Sequence, residues 1–341
     1  MTDLNKINYL NIGLMLVSAL VAFYLPFDLF LFVYAVLGPA HYLTEISWLH
    51  ERRYFTKGKR DYIVLAILAV LLFFAAYVLK DLKLFQKDRL WYMLATTFIY
   101  IAFFSALVLV MLKDAFPRFV GIALVCVTAV IVKNPHVEVL FAIFIPTMIH
   151  VFVFTGLFIL YGAMKSRSLS GYISFAVFLL CPILFILLDA PGLYVSTYAR
   201  NTYHYFQALN TAMFDYFRPE NNAGRDLNQI IFQSQTGVKI MRFIAFAYTY
   251  HYLNWFSKTT VIKWHLISKK RMALIAILWL FSVGLYRYDY KLGFDWLFLL
   301  SFLHVFLEFP LNHTSFIGIV SESKKLLGFH AQPLSVRKKS N

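Results

Sequence analysis

Ten apolar runs, each about long enough to cross a bilayer as a helix, follow one another along this chain with a single long polar interruption. They fall at about 8–24, 27–49, 61–79, 91–112, 117–133, 137–164, 170–190, 239–257, 271–287 and 292–312. In lipid every backbone polar group must be satisfied within its own segment or by a closed barrel, and runs of this length choose the helix. Hydrophobic residues make up 60% of the 341 residues and charged residues only 14%, too few to cover a soluble domain. The expectation is an all-α, polytopic integral membrane helical bundle of about ten transmembrane helices, forming one domain over residues 1–341.

The breaks between runs orient the chain. ERRYFTKGKR (51–60), SKTTVIKWHLISKKR (257–271) and the basic tail (324–339) fall on one side of a ten-span chain. The positive-inside rule then gives N-in and C-in. The formal net charge of +15 is scattered through these short breaks, so it reads as membrane orientation and not as a nucleic-acid patch. MTDLNKINYL leads into the first run without a cleavage site. Cys126 and Cys181 both lie in apolar runs, which argues against a disulfide framework or a thiolate zinc site. The long interruption, about 191–238, contains VSTYARNTYHYFQALNTAMFDYF, too polar for a lipid-facing span and suited to an interfacial helix or a cap over the bundle. The loop RPENNAGRDLNQ follows it.

One spelling occurs twice inside the apolar runs: His41-x3-Glu45-x4-His50 and His304-x3-Glu308-x4-His313. A histidine and a carboxylate four apart lie about 40° apart around a helix and one turn along it, so they share a face. Ionisable groups in hydrocarbon are costly without partners. Four histidines lie well inside runs: His41, His150, His251 and His304, in the second, sixth, eighth and tenth. These four runs point the same way in the ten-span chain, and the four depths agree within about 3 Å at the helical rise. Glu45 and Glu308 lie one turn further in.

Imidazole with carboxylate suits Fe, Zn, Mn or Cu, and the lack of thiolate argues against an iron–sulfur cluster. Four imidazoles around Fe(II) with open positions make a non-haem oxygenase centre, with Glu45 and Glu308 orienting the rings or carrying protons. Alternatively both carboxylates ligate and two ions are held, as in four-helix di-iron proteins. The plain alternative for each histidine is a polar side chain bonded to a neighbouring helix. His50 and His313 lie about 180° from their partners and face the membrane boundary, and Pro310 disturbs the second copy. His204 belongs to the cap segment and could reach down to the site. His136, His265 and His330 read as loop residues. Most Phe and Tyr read as lipid-facing and interfacial belts, with Tyr248, Tyr250 and Tyr252 as candidates to line a cavity.

At these histidines the chain resembles the bacterial membrane-bound β-carotene 15,15′-dioxygenases of the Brp/Blh type. LGPAHYLTE is similar to the family's Pro-His-Gly-x-x-Asp motif, with His41 at its histidine and Glu45 at its acid. IPTMIHVFVF resembles the motif ending in His-Phe-Gly, at His150. AFAYTYHYLNWF resembles the one ending in His-Ser-x-Arg-His, at His251, with Trp255 in place of its second histidine. SFLHVFLEF resembles Leu-Pro-His-Met, at His304. The resemblance covers most of the chain and keeps the order of the four motifs. It implies Fe(II), O2 and oxidative cleavage of a polyene such as a carotenoid, in a bacterial inner membrane, and any ligand missing at 255 would come from Glu308, Glu45 or His204.

The expected function is therefore an intramembrane non-haem iron oxygenase or oxidase, mono- or di-nuclear, with a lipid-soluble small-molecule substrate. His41, His150, His251 and His304 hold the metal, and Glu45 and Glu308 complete the shell or move protons. Zn, Mn and Cu remain open as the metal. Two other classes use the same residues: a haem electron-transfer protein with axial histidines, and a metal-ion or proton transporter. The clustered histidine boxes of fatty-acyl desaturases do not occur.

Overall fold

The computed structural model describes residues 3–81, 87–132, 134–189, 194–217, 226–258, 263 and 267–327. Among these every regular element is helical. The helices are α1 (Asp3–Tyr24), α2 (Pro26–Glu51), α3 (Tyr62–Asp81), α4 (Lys87–Met111), α5 (Ala115–Ile131), α6 (Pro135–Ser166) and α7 (Leu169–Leu187). There follow the short α8 (Thr197–Thr202), α9 (Gln207–Phe217), α10 (Gln235–Ser257), α11 (Lys269–Tyr288) and α12 (Tyr290–Leu326).

The starts are set by local chemistry. Ser168, Ser234 and Ser268 accept from the amides of Gly171, Gly237 and Arg271 and cap α7, α10 and α11. Asn134 and Asp289 cap α6 and α12 in the same way. Pro26 and Pro135 stand in the first turns of α2 and α6, where no amide donor is needed. The α2 end is unusual: Arg53, Tyr54 and Phe55 are all left-handed, with φ of 51, 52 and 56°. Such backbone costs of order 1–3 kcal/mol per residue, and here it turns Tyr54 inward, where it is 5% exposed.

Each of the ten apolar runs is helical over most of its described residues. Among the described residues, seven helices are long and apolar enough to cross a membrane: α1, α2, α4, α6, α7, α11 and α12. Tyr62–Tyr77 within α3, and α5, are shorter apolar helices. The remaining run, α10, is long but carries Arg242, three tyrosines, His251 and Asn254. Its lower apolarity has a structural reason: most of its residues are buried by protein, so they need not suit lipid. One boundary needs correction. The last helix continues from 312 to Leu326, through Pro310, as 37 unbroken residues. Lys324 and Lys325 in its final turn complement the carbonyl end of the helix dipole.

Four helices form a ring at the centre. Helix α2 packs on α10 and α12, and α6 packs on the same two. Ring contacts fix their sense. Along α2 and α10 the pairs run Tyr34–Tyr248, His41–His251 and Trp48–Trp255. Along α6 and α10 they run Phe152–Phe243, Thr155–His251 and Phe158–Lys258. Helix α12 follows with Phe294 on Tyr34 and His304 on His41. All four helices therefore point the same way. Segment 197–217 packs at one end of the ring, with Tyr203 and Asn210 buried and bonded to each other.

Candidate metal centre

The parallel ring brings His41, His150, His251 and His304 to one level, each 1–6% exposed. Their imidazoles converge edge to edge, with His41 Nε2 3.0 Å from His251 Nε2 and His150 Nε2 3.1 Å from His304 Nε2. One tautomer is fixed from behind, and a second ring is held there. His304 Nδ1 lies 3.0 Å from the Ser301 carbonyl, which can only accept, so that nitrogen carries the proton and Nε2 presents a lone pair. His251 Nδ1 lies 2.7 Å from the Thr155 hydroxyl, which can donate or accept and so holds the ring without fixing its tautomer. His150 sits where α6 winds in wide, π-type turns from Leu140 to Phe154, around Pro146. Such widened turns are frequent at functional sites and re-aim the side chains they carry.

The two carboxylates join the level from below, 2% and 1% exposed. Their placement differs. Glu45 Oε2 is 3.1 Å from His41 Nε2 and 3.8 Å from His304 Nε2, so it faces the nitrogens that converge. Glu308 Oε2 is 3.4 Å from His150 Nδ1, on the outer edge of that ring, and 3.8 Å from His304 Nε2. Two buried groups result, His41–His251–His304 and His150–His304–Glu308, each able to hold a metal ion and sharing His304.

These residues fit a transition metal. Imidazole nitrogens bind such ions at about 2.0–2.1 Å, and two at right angles about one ion lie about 3.0 Å apart, as both facing pairs do here. Glu45 Oε2, Glu308 Oε2, His41 Nδ1 and His150 Nδ1 are buried with no hydrogen-bond partner, although such atoms normally have one. For the carboxylate oxygens a cation is the natural partner.

The level separates two cavities of opposite character. Above it, a cavity of about 230 Å³ reaches His150, His251 and His304 and is walled mainly by aromatics, among them Tyr42, Tyr248, Tyr252 and Phe206. Tyr42 stacks on the His304 ring at 4.3 Å and shares a 2.8 Å hydrogen bond with Tyr252. Below it, a cavity of about 200 Å³ is lined by His41, Glu45, His251, Glu308, Asn254 and Lys258 among others. Burial pushes the Lys258 ammonium, just beyond the end of α10, down to about 8, against the upward pull of Glu45 and Glu308.

The other histidines stand apart. His50 is exposed and lies 3.3 Å from the Tyr54 hydroxyl. His313 donates to the Phe103 carbonyl at 2.8 Å, between α12 and α4. His204 is exposed, turned to the Asn201 carbonyl, and does not reach down, so it supplies no ligand at the missing position. His136 is not in a loop but in the first turn of α6, exposed. His265 and His330 lie outside the described residues. Of the three tyrosines near His251, Tyr248 and Tyr252 line the upper cavity, whereas Tyr250 donates to Asn11 at 3.0 Å on the α1 side.

Sequence reasoning missed several groups. Thr155 and Ser301 fix ring orientation but carry no charge to reveal them. Trp255 packs on His41 and donates to the Thr44 hydroxyl at 2.9 Å, so it buttresses the level and is no ligand. Lys258 was legible only as one of many basic residues in a break. No family model matches the chain, and neither a curated protein nor a solved structure matches it.

Proposed function

We propose that this protein is an intramembrane non-haem iron oxygenase or oxidase acting on a lipid-soluble substrate, with oxidative cleavage of a carotenoid or other polyene as the reaction that the sequence resemblance implies. The observation that carries this reading is the convergence of four histidines and two carboxylates at the floor of an aromatic cavity. The ten helical runs are taken as ten spans with both ends on the basic side, in a bacterial inner membrane.

His41, His150, His251 and His304 would hold the ion, and Glu45, 3.1 Å from His41 Nε2, would be a further oxygen donor. Glu308, whose Oε2 lies 3.4 Å from His150 Nδ1 outside hydrogen-bond geometry, would orient that ring once a metal is held, a role that carboxylates take behind metal-bound histidines. Iron held there would supply O2 activation. The chain's own residues supply the rest. Tyr42 and Tyr252, locked by their shared hydrogen bond, form a wall beside His304. The apolar lining excludes water and positions an unsaturated chain over the imidazoles. A further cavity of about 730 Å³ shares Trp91, Phe294 and Phe298 with the upper one and gives an extended apolar molecule room.

Two features weigh against the other classes. Axial histidines on a haem iron stand about 4 Å apart through the metal with a porphyrin between them, and facing nitrogens at 3.0 and 3.1 Å leave no such space. A cation path needs polar groups on both sides of the level, and the upper cavity is largely aromatic. Elemental analysis of purified protein tests the proposal. Stoichiometric iron is expected in wild type and its loss in His304→Ala. Wild type without a transition metal, or iron that survives replacement of both His251 and His304, would overturn it.

A further inference from the structure

The lower cavity holds more polar chemistry than a metal centre requires. Trp48, Asn254, Lys258 and Ser315 line it together with the undersides of Glu45 and Glu308. Trp48 Nε1 is buried and has no hydrogen-bond partner. An indole N–H only donates, so a metal ion cannot satisfy it; it needs an oxygen acceptor. About 200 Å³ of cavity accommodates several water molecules, which stay where polar partners surround them. The deep residues Trp48, Asn254 and Ser315 are buried, whereas Phe158, Tyr161, Lys258 and Leu311 are half-buried and mark the mouth. Lys258 therefore stands at the rim as the cation, with two carboxylates behind it.

We propose that this lower cavity is a hydrated vestibule that admits water and small water-soluble reactants to the His/Glu level from the Lys258 end, with Lys258 setting the charge preference at its mouth. The level then has two separate approaches, an aromatic one for the lipid-soluble substrate and a wet one for small polar species. The consequence for catalysis rests on the function proposed above; the hydration itself does not.

Cysteine labelling in membrane vesicles tests it without metal or activity. In a Cys126→Ser, Cys181→Ala background, Ser315→Cys and Asn254→Cys each probe the vestibule, and Val151→Cys probes the upper cavity. The probes are small charged methanethiosulfonates, anionic and cationic, and membrane-permeant N-ethylmaleimide. The charged reagents should modify both vestibule cysteines and spare Val151→Cys, which only N-ethylmaleimide reaches. Lys258→Glu should shift the anionic-to-cationic rate ratio at Ser315→Cys by about tenfold towards the cation, as expected for reversing one nearby charge. Failure of the charged reagents at both vestibule positions overturns the proposal, whether or not N-ethylmaleimide reacts. A ratio unmoved by Lys258→Glu overturns the role of that residue. Iron content of the same samples keeps the two readings apart. A reactive vestibule without iron sinks the oxygenase and leaves the vestibule, and iron with unreactive cysteines does the reverse.

Discussion

The two sides of the histidine level are built from the same four helices yet differ in kind. Above it, α2, α10 and α12 turn tyrosines and phenylalanines inward while α6 adds Ala142, Ile143, Pro146 and Val151, and the Tyr42 and Tyr252 hydroxyls bond to each other. Below it, the same helices present Glu45, Trp48, Asn254, Glu308 and Ser315. The level is a boundary between an aromatic face and a polar, charged one. The two His-x3-Glu copies divide along a related line. Glu45 meets the convergent nitrogens, whereas Glu308 backs His150 from its outer edge.

The largest effect should come from the residue common to both halves of the cluster. His304→Ala should abolish stoichiometric metal binding, because both candidate groups contain it; metal analysis that finds wild-type occupancy would erase the distinction between a shared level and two independent sites. Next comes the asymmetry of the carboxylates. Glu45→Gln should weaken metal retention more than Glu308→Gln, whose loss should fall in the roughly 10–100-fold range seen for groups that orient ligands. Equal losses in a chelator competition would show that both carboxylates ligate. Thr155→Val removes the partner of His251 Nδ1 and should cost about tenfold in metal affinity, with ligation itself retained. The smallest effect belongs to the aromatic side. Tyr42→Phe breaks the bond to Tyr252 and should lower stability by about 1 kcal/mol in thermal or denaturant unfolding, leaving metal content unchanged. A metal loss there would mean the upper wall takes part in ligation.

Much of this was legible in one dimension. Runs of apolar residues of bilayer length dictate helices because backbone groups have no other partner in hydrocarbon, and each run is indeed helical. The four histidines could be singled out because imidazole in such runs is costly, and their spacing from the helix ends placed them at one depth. The last apolar run ends at 312, where the sequence turns polar, yet the helix continues to Leu326. Pro310 removes one amide donor, but the helix around it is held on both sides, and the Pro310 carbonyl still accepts from Thr314 at 2.8 Å. Helix α10 adds a second point: its tyrosines and Arg242 face protein, and hydropathy cannot tell a lipid-facing residue from a protein-facing one.

The sequence by itself determined the helical class, the membrane-compatible composition and the set of buried histidines, since each follows from transfer free energies and local periodicity. Only the tertiary structure decided which nitrogens meet, which carboxylate faces them and which basic residue closes the lower cavity. Those depend on the rotation of each helix about its own axis and on rotamers locked by neighbours such as Thr155 and the Ser301 carbonyl. A turn of tens of degrees carries a side chain from one cavity to the next, and that angle is set by packing between segments more than a hundred residues apart.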